Sequence, residues 1–583
     1  MPHRTLPHRA TRHRPVPHRT TPRRPRGRER RERRTTTTAH SRQTETEGHA
    51  MSVNQKRYLH SSVAAQPLLH RWYAWPYLIA PHTGALNLRD RLLPILRSYL
   101  QGAHLHAKAL ADPARYGGPF LDPQGASDAE VEALLNRTLS AGEARLTLAD
   151  DIDQLRRLLR EKATGGSLEP LYPDVPASLR GCVELVYDTA HRPSFRFFEP
   201  LLYRTPAVEP HSQSVSLGPV PTRQQPFVYG SPVLPRADRL TVTVPFSSAD
   251  WDALFAARLN ATDVRALAER LGLDAADRDR FPALFTDDAP APYAGAEPGT
   301  VRTRYFGHAT VLIETSDGSV LLDPLIGYTD DGHEHFTMAD LPPHIDAVVI
   351  SHFHSDHFSL ETLLQLRTRV GTIVVPRASG GSLQDPSLKT MLEALGFDRV
   401  REAGELETVH VADRMDIVAL PFIGEHADLD IRTKMVPLVR ALGRSFMFAT
   451  DITPIEPKLY DLVSDVVGQV DALFVGLECV GAPLSWLYGP LMEEKLSREH
   501  NQSRRLKGSD AALADGLAQQ VGAGHVYAYA MGLEPWLKHL TGSDFDPDSE
   551  QVKQSALLKE RCAGRGVGSE LLYRQAERVW QGR

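Results

Sequence analysis

The stretch ISHFHSDHF places His352, His354, Asp356 and His357 within six residues, directly behind the apolar run Ala347 to Ile350. A loop leaving the end of a strand would let His352 and His354 reach one metal ion while Asp356 and His357 reach a second. Nitrogen and oxygen donors without thiolate suit zinc, manganese or iron. Three histidines and an aspartate behind a buried strand are too unusual for an ordinary polar loop. Asp323 in LLDP, Asp451 in FMFATDIT and Glu478 in DALFVGLE each follow another apolar run. One such acid reads as a turn or cap residue, and Glu478 reads equally well as a loop carboxylate, but three in succession point to a common rim.

The stretch PFIGEHADLDI sets Glu425 beside His426 at the end of a predicted buried strand. Neighbouring strand residues face opposite ways, so a metal there meets one of them. An imidazole would indicate a hydrolytic site and a carboxylate an iron site. The last predicted core strand, VYAYAMGLEP, ends on Ala530 and Met531 with no histidine at its end, and His500 and His525 read as ordinary polar residues. Two other patterns carry no chemistry. VGAGHVY holds part of a GxGxxG but enters a strand, which removes the helix N-terminus that dinucleotide phosphates need. His104 and His106 are spaced i, i+2 on a predicted helix and face apart.

These residues need strands to place them. RTRYFGHATVLIET and SVLLDPLIG read as strands either side of a Ser-Asp-Gly turn, followed by IDAVVIS, a helix, GTIVVP, a helix, ETVHVADRMDIVALPF, TKMVPLVRALGRSFMFAT, a helix, DALFVGLE, a helix and HVYAYAMG. Hairpin-linked strands followed by alternating strands and helices predict a layered α/β domain, with two β-rich halves meeting near residue 400. Before it, NLRDRLLPILRSYLQGAHLHAKAL has helical spacing with a kink or early boundary at Pro94. Ser127 and Glu130 form a capping box ahead of VEALLNRTLS, LADDIDQLRRLLREKA is amphipathic, and CVELVYDTA and SFRFFEPLLY predict paired strands. The expected divisions are a disordered basic extension over 1–58 with translation starting at Met51, an N-terminal α+β domain over 59–285, a Pro- and Ala-rich linker over 286–299, a catalytic domain over 300–540 and a C-terminal helical extension over 541–583.

Composition limits the classes. With 41% apolar and 24% charged residues the chain is ordinary for a soluble globular protein, and no apolar run approaches a membrane span. Cys182, Cys479 and Cys562 lack CxxC spacing and read as reduced thiols of a cytoplasmic protein. The net charge of −5 divides into +10 for residues 1–50, from 14 Arg and 4 Glu, and −15 for the rest. Nothing downstream of that basic tail reads as a nucleic-acid module.

The HxHxDH pattern is the signature of the metallo-β-lactamase superfamily, whose fold is an αββα sandwich with metals at the rim between two sheets. In that pattern Asp323 matches an acid that supports the metal site, and Asp451 matches the carboxylate that bridges two metals. The segments QPLLHRWYAWPYLIAPHTGALNLRDRLLPILRSYL, GGPF, GEHADLDI, GLECVGAPLSWLYGPL, QSRRLKGSD and YAMGLEPWL resemble the diiron β-hydroxylases of the chloramphenicol-biosynthesis type, over residues 65 to 540. The resemblance implies two iron ions in place of zinc or manganese. His352, His354 and Glu425 would hold one, Asp356 and His357 the other, Asp451 would bridge them, and Glu478 would be a ligand or near-ligand to the second. It makes Glu425, Asp451 and Glu478 the catalytic carboxylates and His426 a packing or supporting residue pointing the other way. It also implies an O2-dependent monooxygenase acting on an amino acid held as a thioester on a nonribosomal peptide synthetase carrier domain, within antibiotic biosynthesis. The N-terminal domain would dimerise the protein and shape substrate access. No flavin or nicotinamide motif appears, so an external electron donor is expected. The alternative on the same fold is a metal-dependent hydrolase, a lactonase or phosphodiesterase, in which metal-bound hydroxide attacks an ester.

Overall fold

The computed structural model describes residues 56–583, apart from 113–114, 116–117, 221–225, 330–331 and 543–544. The expected basic extension lies outside the described residues except for Lys56–Tyr58, which belong to strand β1 (Lys56–Leu59). Then come β2 (Val63–Leu69), β3 (Trp72–Tyr73), a helical block spanning Pro76 to Lys162, the hairpin β4 (Val183–Tyr187) and β5 (Pro193–Phe197), β6 (Gln213–Pro219), β7 (Leu240–Val242), β8 (Thr262–Asp263) and β9 (Phe285–Thr286). Their sheets run β8-β1-β9, β3-β2-β6-β7 and β4-β5. The capping box forms as the sequence predicts: the Ser127 side chain accepts from the Glu130 amide and the Glu130 carboxylate accepts from the Ser127 amide. Pro94 stands in the first turn of the helix Leu93–Leu110, where its missing N–H costs nothing, and a π-helical turn, Leu88–Leu92, precedes it. The helix bends instead at Gly102 (φ −162°, ψ 57°).

The remaining strands are β10 (Thr300–Tyr305), β11 (Val311–Glu314), β12 (Ser319–Leu322), β13 (Ile345–Val349), β14 (Val370–Pro376), β15 (Val400–Ala403), β16 (Thr408–Ala412), β17 (Met415–Leu420), β18 (Val436–Ala441), β19 (Arg444–Ala449), β20 (Ala472–Gly476), β21 (Ala482–Pro483), β22 (Arg505–Leu506), β23 (His525–Tyr529), β24 (Gly568–Leu571) and β25 (Ala576–Gln581). They build two seven-stranded sheets, β15-β14-β13-β12-β11-β10-β25 and β16-β17-β18-β19-β20-β23-β24, plus the ribbon β21-β22. The sheets divide near residue 400, as the sequence predicts.

Period-two alternation explains the layering. Ala347 and Val349 of β13 join Ile417, Phe446 and Phe474 in the core between the sheets, whereas Val348 and Ile350 face outward onto Leu360, Leu363 and Leu364 of the helix Leu360–Leu366. Leu473 and Val475 of β20 turn outward onto Tyr460, Leu517 and Leu558 from three covering helices. The result is the expected αββα sandwich. Its outer core on the first-sheet side is continuous with N-terminal residues such as Trp72, Tyr77 and Trp251.

The helical extension expected over 541–583 is corrected. The helix Glu550–Ala563 is followed by β24, parallel to β23, and β25, antiparallel to β10, so this segment supplies an edge strand to each sheet. The sequence AERVWQ hides its alternation because Val579 faces solvent while Arg578 and Trp580 are half-buried. Backbone pairing along β10, with Trp580 edge-on to Phe446 at 5.4 Å, places it. At the rim, β12 and β13 run parallel in one sheet, and β19 and β20 in the other. Their carboxyl ends deliver Asp323, His352, Asp451 and Glu478.

Candidate metal centre

After β13 the chain enters the loop that carries the histidine motif. Asp323, one residue past β12, orients it from beneath. Its carboxylate accepts from the Ser351 amide and the Ser351 hydroxyl, each at 2.6 Å, and faces His357 Nδ1 at 2.9 Å. Those contacts fix His357 with Nδ1 as the donor and turn Nε2 toward Asp451 Oδ2 at 3.1 Å. Ser351 Oγ also lies 3.0 Å from His352 Nδ1, which leaves His352 Nε2 facing the cluster. His352 and His357 lie tilted to one another with ring centroids 4.2 Å apart, and His354 stands edge-on to His352 at 4.6 Å.

Glu425 and His426 sit differently from the sequence expectation. Strand β17 ends at Leu420, and the loop beyond it has left-handed backbone at Gly424 (φ 91°), Glu425 (φ 66°), Ala427 (φ 52°) and Asp428 (φ 58°). A Cβ on Gly424 would meet the Thr453 side chain at 2.4 Å, so glycine alone fits this close approach. Strand alternation therefore does not apply, and both residues turn to the same cluster. Glu425 Oε1 lies 3.1 Å from His354 Nδ1. His426 does not point the other way: its ring packs 4.7 Å from that of His354, and its Nδ1 lies 2.8 Å from the Tyr488 hydroxyl, which is also 3.2 Å from His354 Nε2. Non-glycine residues in this backbone region cost on the order of 1 kcal/mol or more each, and such outliers gather at functional sites.

Among the described residues there are three sets of candidate ligand atoms, the atoms of each set lying within 4.8 Å of one another: His352, His354 and Glu425; His352, His357 and Asp451; and His308, Asp356 and His357. Asp451 stands between the first and last sets, 3.7 Å from His352 Nε2 and 3.1 Å from His357 Nε2. Sequence reasoning missed His308, in the turn between β10 and β11, where Gly307 (φ 103°) and His308 (φ 49°) both take left-handed backbone and His308 Nε2 comes within 3.2 Å of Asp356 Oδ2. The Gly-His pair inside an apolar hairpin was the signal available. Glu478 borders the same cavity but belongs to none of the three sets. Its carboxylate accepts from the Gly481 amide at 3.0 Å and from the Gln551 side-chain amide at 3.0 and 3.2 Å. Ala530 and Met531 line the cavity where a late histidine would stand.

The donors fit metal ions. His308 Nε2, His352 Nε2, Glu425 Oε2 and Asp451 Oδ1 are buried without an aligned hydrogen-bond partner, and they converge on one cluster. Unpaired buried polar atoms are costly, and a pair of cations, one in the set of Glu425 and one in the set of His308, would give them partners. Burial, followed by the neighbouring imidazoles, holds the His352 pKa well below the usual histidine value, which keeps its nitrogen lone pair free to ligate. Burial also opposes protonation of His354, but the carboxylates of Glu425, Asp356 and Asp451 together more than offset it. Burial pushes Glu425 and Glu478 upward. A cavity of about 360 Å³ opens in front of the cluster, lined by His354, Asp356, Glu425, Asp451, Glu478 and Trp486 among others.

Residues 58–290 match the family described as the diiron non-heme β-hydroxylase N-terminal domain, and residues 319–482 match the β-lactamase superfamily domain. The chain is 37% identical over 525 residues to the 4-amino-L-phenylalanyl-[CmlP-peptidyl-carrier-protein] 3-hydroxylase of Streptomyces venezuelae, covering 88% of this chain and 98% of that one. Among solved structures it is similar to the diiron β-hydroxylase CmlA from Streptomyces venezuelae, with a TM-score of 0.85, 36% identity and coverage of 91% of this chain and 100% of the other. A mutant of that β-hydroxylase matches with a TM-score of 0.83, 35% identity and coverage of 90% and 100%. An N-terminal domain of this type joined to a metal-ligating αββα sandwich, with identity sustained across both, places the chain in the diiron non-heme β-hydroxylase family.

Proposed function

We propose that the chain hydroxylates an amino acid carried as a thioester on a peptidyl carrier protein, using O2 and two iron ions. The observation that carries this reading is the carboxylate of Glu425 closing the ligand set of His352 and His354, in a chain 37% identical to a hydroxylase of a carrier-bound amino acid. When bound, an iron pair supplies activation of O2 and oxidation of a C–H bond. His352, His354 and Glu425 would hold one ion and Asp356 and His357 the other, with Asp451 between them. Asp323 holds the His357 proton on Nδ1, which keeps Nε2 free to ligate. Glu478, tethered by Gln551 and Gly481, borders the same cavity as both ligand sets.

Inserting one oxygen atom of O2 into a C–H bond and releasing the other as water consumes a pair of electrons and a pair of protons. The protein therefore works with a separate reductant. The reading includes a homodimer assembled through the N-terminal region. No helix among the described residues is long and apolar enough to cross a membrane.

The deciding experiment reduces the iron-loaded protein without oxygen, adds O2 with a set of aminoacyl carrier proteins and follows the mass of each carrier. The expected product gains one oxygen atom. Thioester cleavage that proceeds without O2 and follows zinc content would overturn the reading.

A further inference from the structure

Tyr488 touches the metal centre without belonging to any of its ligand sets. Its hydroxyl lies 3.2 Å from His354 Nε2 and 2.8 Å from His426 Nδ1. His354 turns its other nitrogen, Nδ1, toward Glu425 Oε1 at 3.1 Å, so Nε2 carries the ring proton when Nδ1 ligates. The phenol therefore accepts from His354 and donates its own proton to His426. All three side chains are buried.

Behind Tyr488 the aromatic rings continue into the N-terminal region. Tyr77 meets Tyr488 edge-on at 5.7 Å, and Trp75 meets Tyr77 edge-on at 5.7 Å. Both rings are buried, and the Tyr77 hydroxyl donates to the Gln384 carbonyl at 2.6 Å. Trp75 lines a second cavity, of about 270 Å³, whose walls include the exposed residues Pro119 and Ser485. A run of oxidisable rings thus leads from an imidazole of the first ligand set to a cavity that reaches solvent. Electron tunnelling falls off exponentially with distance, so rings in contact pass charge faster than the same span of aliphatic packing. Tyrosine and tryptophan release an electron to a strong oxidant but accept none from a biological reductant. The run therefore carries oxidising equivalents outward.

We propose that Tyr488 is a redox-active tyrosine that drains oxidising equivalents from the iron pair when O2 has reacted with no substrate in place, and that Tyr77 and Trp75 pass them toward solvent. The proposal rests on the hydroxylase reading above and adds a protective branch to it. In the first step Tyr488 gives one electron to the oxidised iron pair through His354, and its phenolic proton moves to His426 Nδ1, leaving a neutral tyrosyl radical. Glu425 Oε2, 3.2 Å from that nitrogen, offsets the imidazolium charge. In the second step Trp75 supplies one electron across the Tyr77 ring, and the proton returns from His426 to Tyr488. The oxidised indole is then reduced, through the second cavity, by the one-electron donor that hydroxylation already requires. Arg91 lies over Trp75 at 5.7 Å, and its positive charge disfavours an oxidised indole, so the equivalent dwells on Tyr488.

The test exposes the reduced, iron-loaded full chain to O2 without any carrier protein and freezes samples over time. Protein radicals are read by electron paramagnetic resonance, with ring-deuterated tyrosine to identify the signal. Peptide mass mapping after repeated cycles locates oxidised side chains, and carrier hydroxylation is measured separately. The expected result is a tyrosyl signal that narrows on deuteration and is lost in Tyr488→Phe at matched iron content. Trp75→Phe should lengthen the life of that signal and move oxidative damage onto His352, His354 and Glu425, with iron content unchanged. A signal missing from both the unaltered protein and Trp75→Phe, or one that survives Tyr488→Phe, would overturn the proposal, and carriers still gaining oxygen in that case would leave the hydroxylase reading standing. A radical on Tyr488 in a protein that adds oxygen to no carrier would support the relay and sink the reading of a carrier-bound substrate.

Discussion

Replacing Asp323 by Asn changes one atom and should cost the second metal site most of its affinity. The carboxylate now receives three donors: the Ser351 amide at Oδ1, and the Ser351 hydroxyl and His357 Nδ1–H at Oδ2. An amide side chain offers one oxygen and one NH2 in the same two places. If the NH2 faces His357, the imidazole must move its proton to Nε2, the atom that faces Asp451 at 3.1 Å, and that nitrogen loses the lone pair a metal needs. If the NH2 faces the Ser351 amide, two donors meet where an acceptor stood at 2.6 Å, at a cost of about 1–3 kcal/mol for a buried unsatisfied group. Either way, loss of the partner behind a ligating histidine lowers metal affinity by roughly 10- to 100-fold, or about 1.4–2.8 kcal/mol. Anaerobic iron titration of Asp323→Asn, monitored by metal analysis and calorimetry, should show one tight equivalent retained and the second weakened by that factor. Two equivalents bound as in the unaltered protein would refute the tautomer argument.

Glu425→His should retain metal, shift preference toward zinc and abolish oxygen incorporation, as metal analysis and carrier mass would record; retained hydroxylation would refute the role given to the carboxylate. Tyr488→Phe leaves His354 Nε2 and His426 Nδ1 without their shared hydroxyl, so the metal-free protein should lose about 1–3 kcal/mol in denaturant melts. Burial pushes Glu199 up to about 7, against the pull of the Ser387 amide that it accepts at 2.9 Å. Because the folded value exceeds the ordinary 4.5, its contribution is complete below about pH 4.5 and is lost as pH rises through about 7. Glu199→Gln keeps the acceptor and should remove up to roughly 3 kcal/mol of that pH dependence; identical stability-versus-pH curves for the two proteins would count against it. Chelation should lower the thermal midpoint reversibly, by an amount that grows with the excess of iron over its dissociation constant.

The histidine motif was legible because its spacing is local and its position behind an apolar strand is visible in the sequence. Asp323 and Asp451 were legible for the same reason: a carboxylate that ends a run such as SVLL or RSFMFA has few structural duties there. His308 was not, since it approaches Asp356 across 48 positions and a single histidine in a tight turn has no periodicity to betray it. The orientation of Glu425 and His426 failed on backbone geometry, because a rule built on extended strands cannot anticipate left-handed residues. β25 failed on composition, since its pairing with β10 depends on backbone hydrogen bonds and its exposed positions carry Glu577, Val579 and Gln581. The aromatic run was hidden because Tyr77 and Tyr488 are far apart in the chain and each reads alone as an ordinary core residue.

The pairing of β10 with β25 also bears on how the protein is made. β10 is buried along nearly its whole length, yet the partner for one of its edges is synthesised only after every other strand of both sheets. During that interval its unpaired amides and carbonyls present a template for any neighbouring chain. A nascent or prematurely terminated chain lacking residues 576–581 would therefore be the aggregation-prone species, and chaperone supply or slower growth at low temperature should raise soluble yield more than any change at the metal ligands.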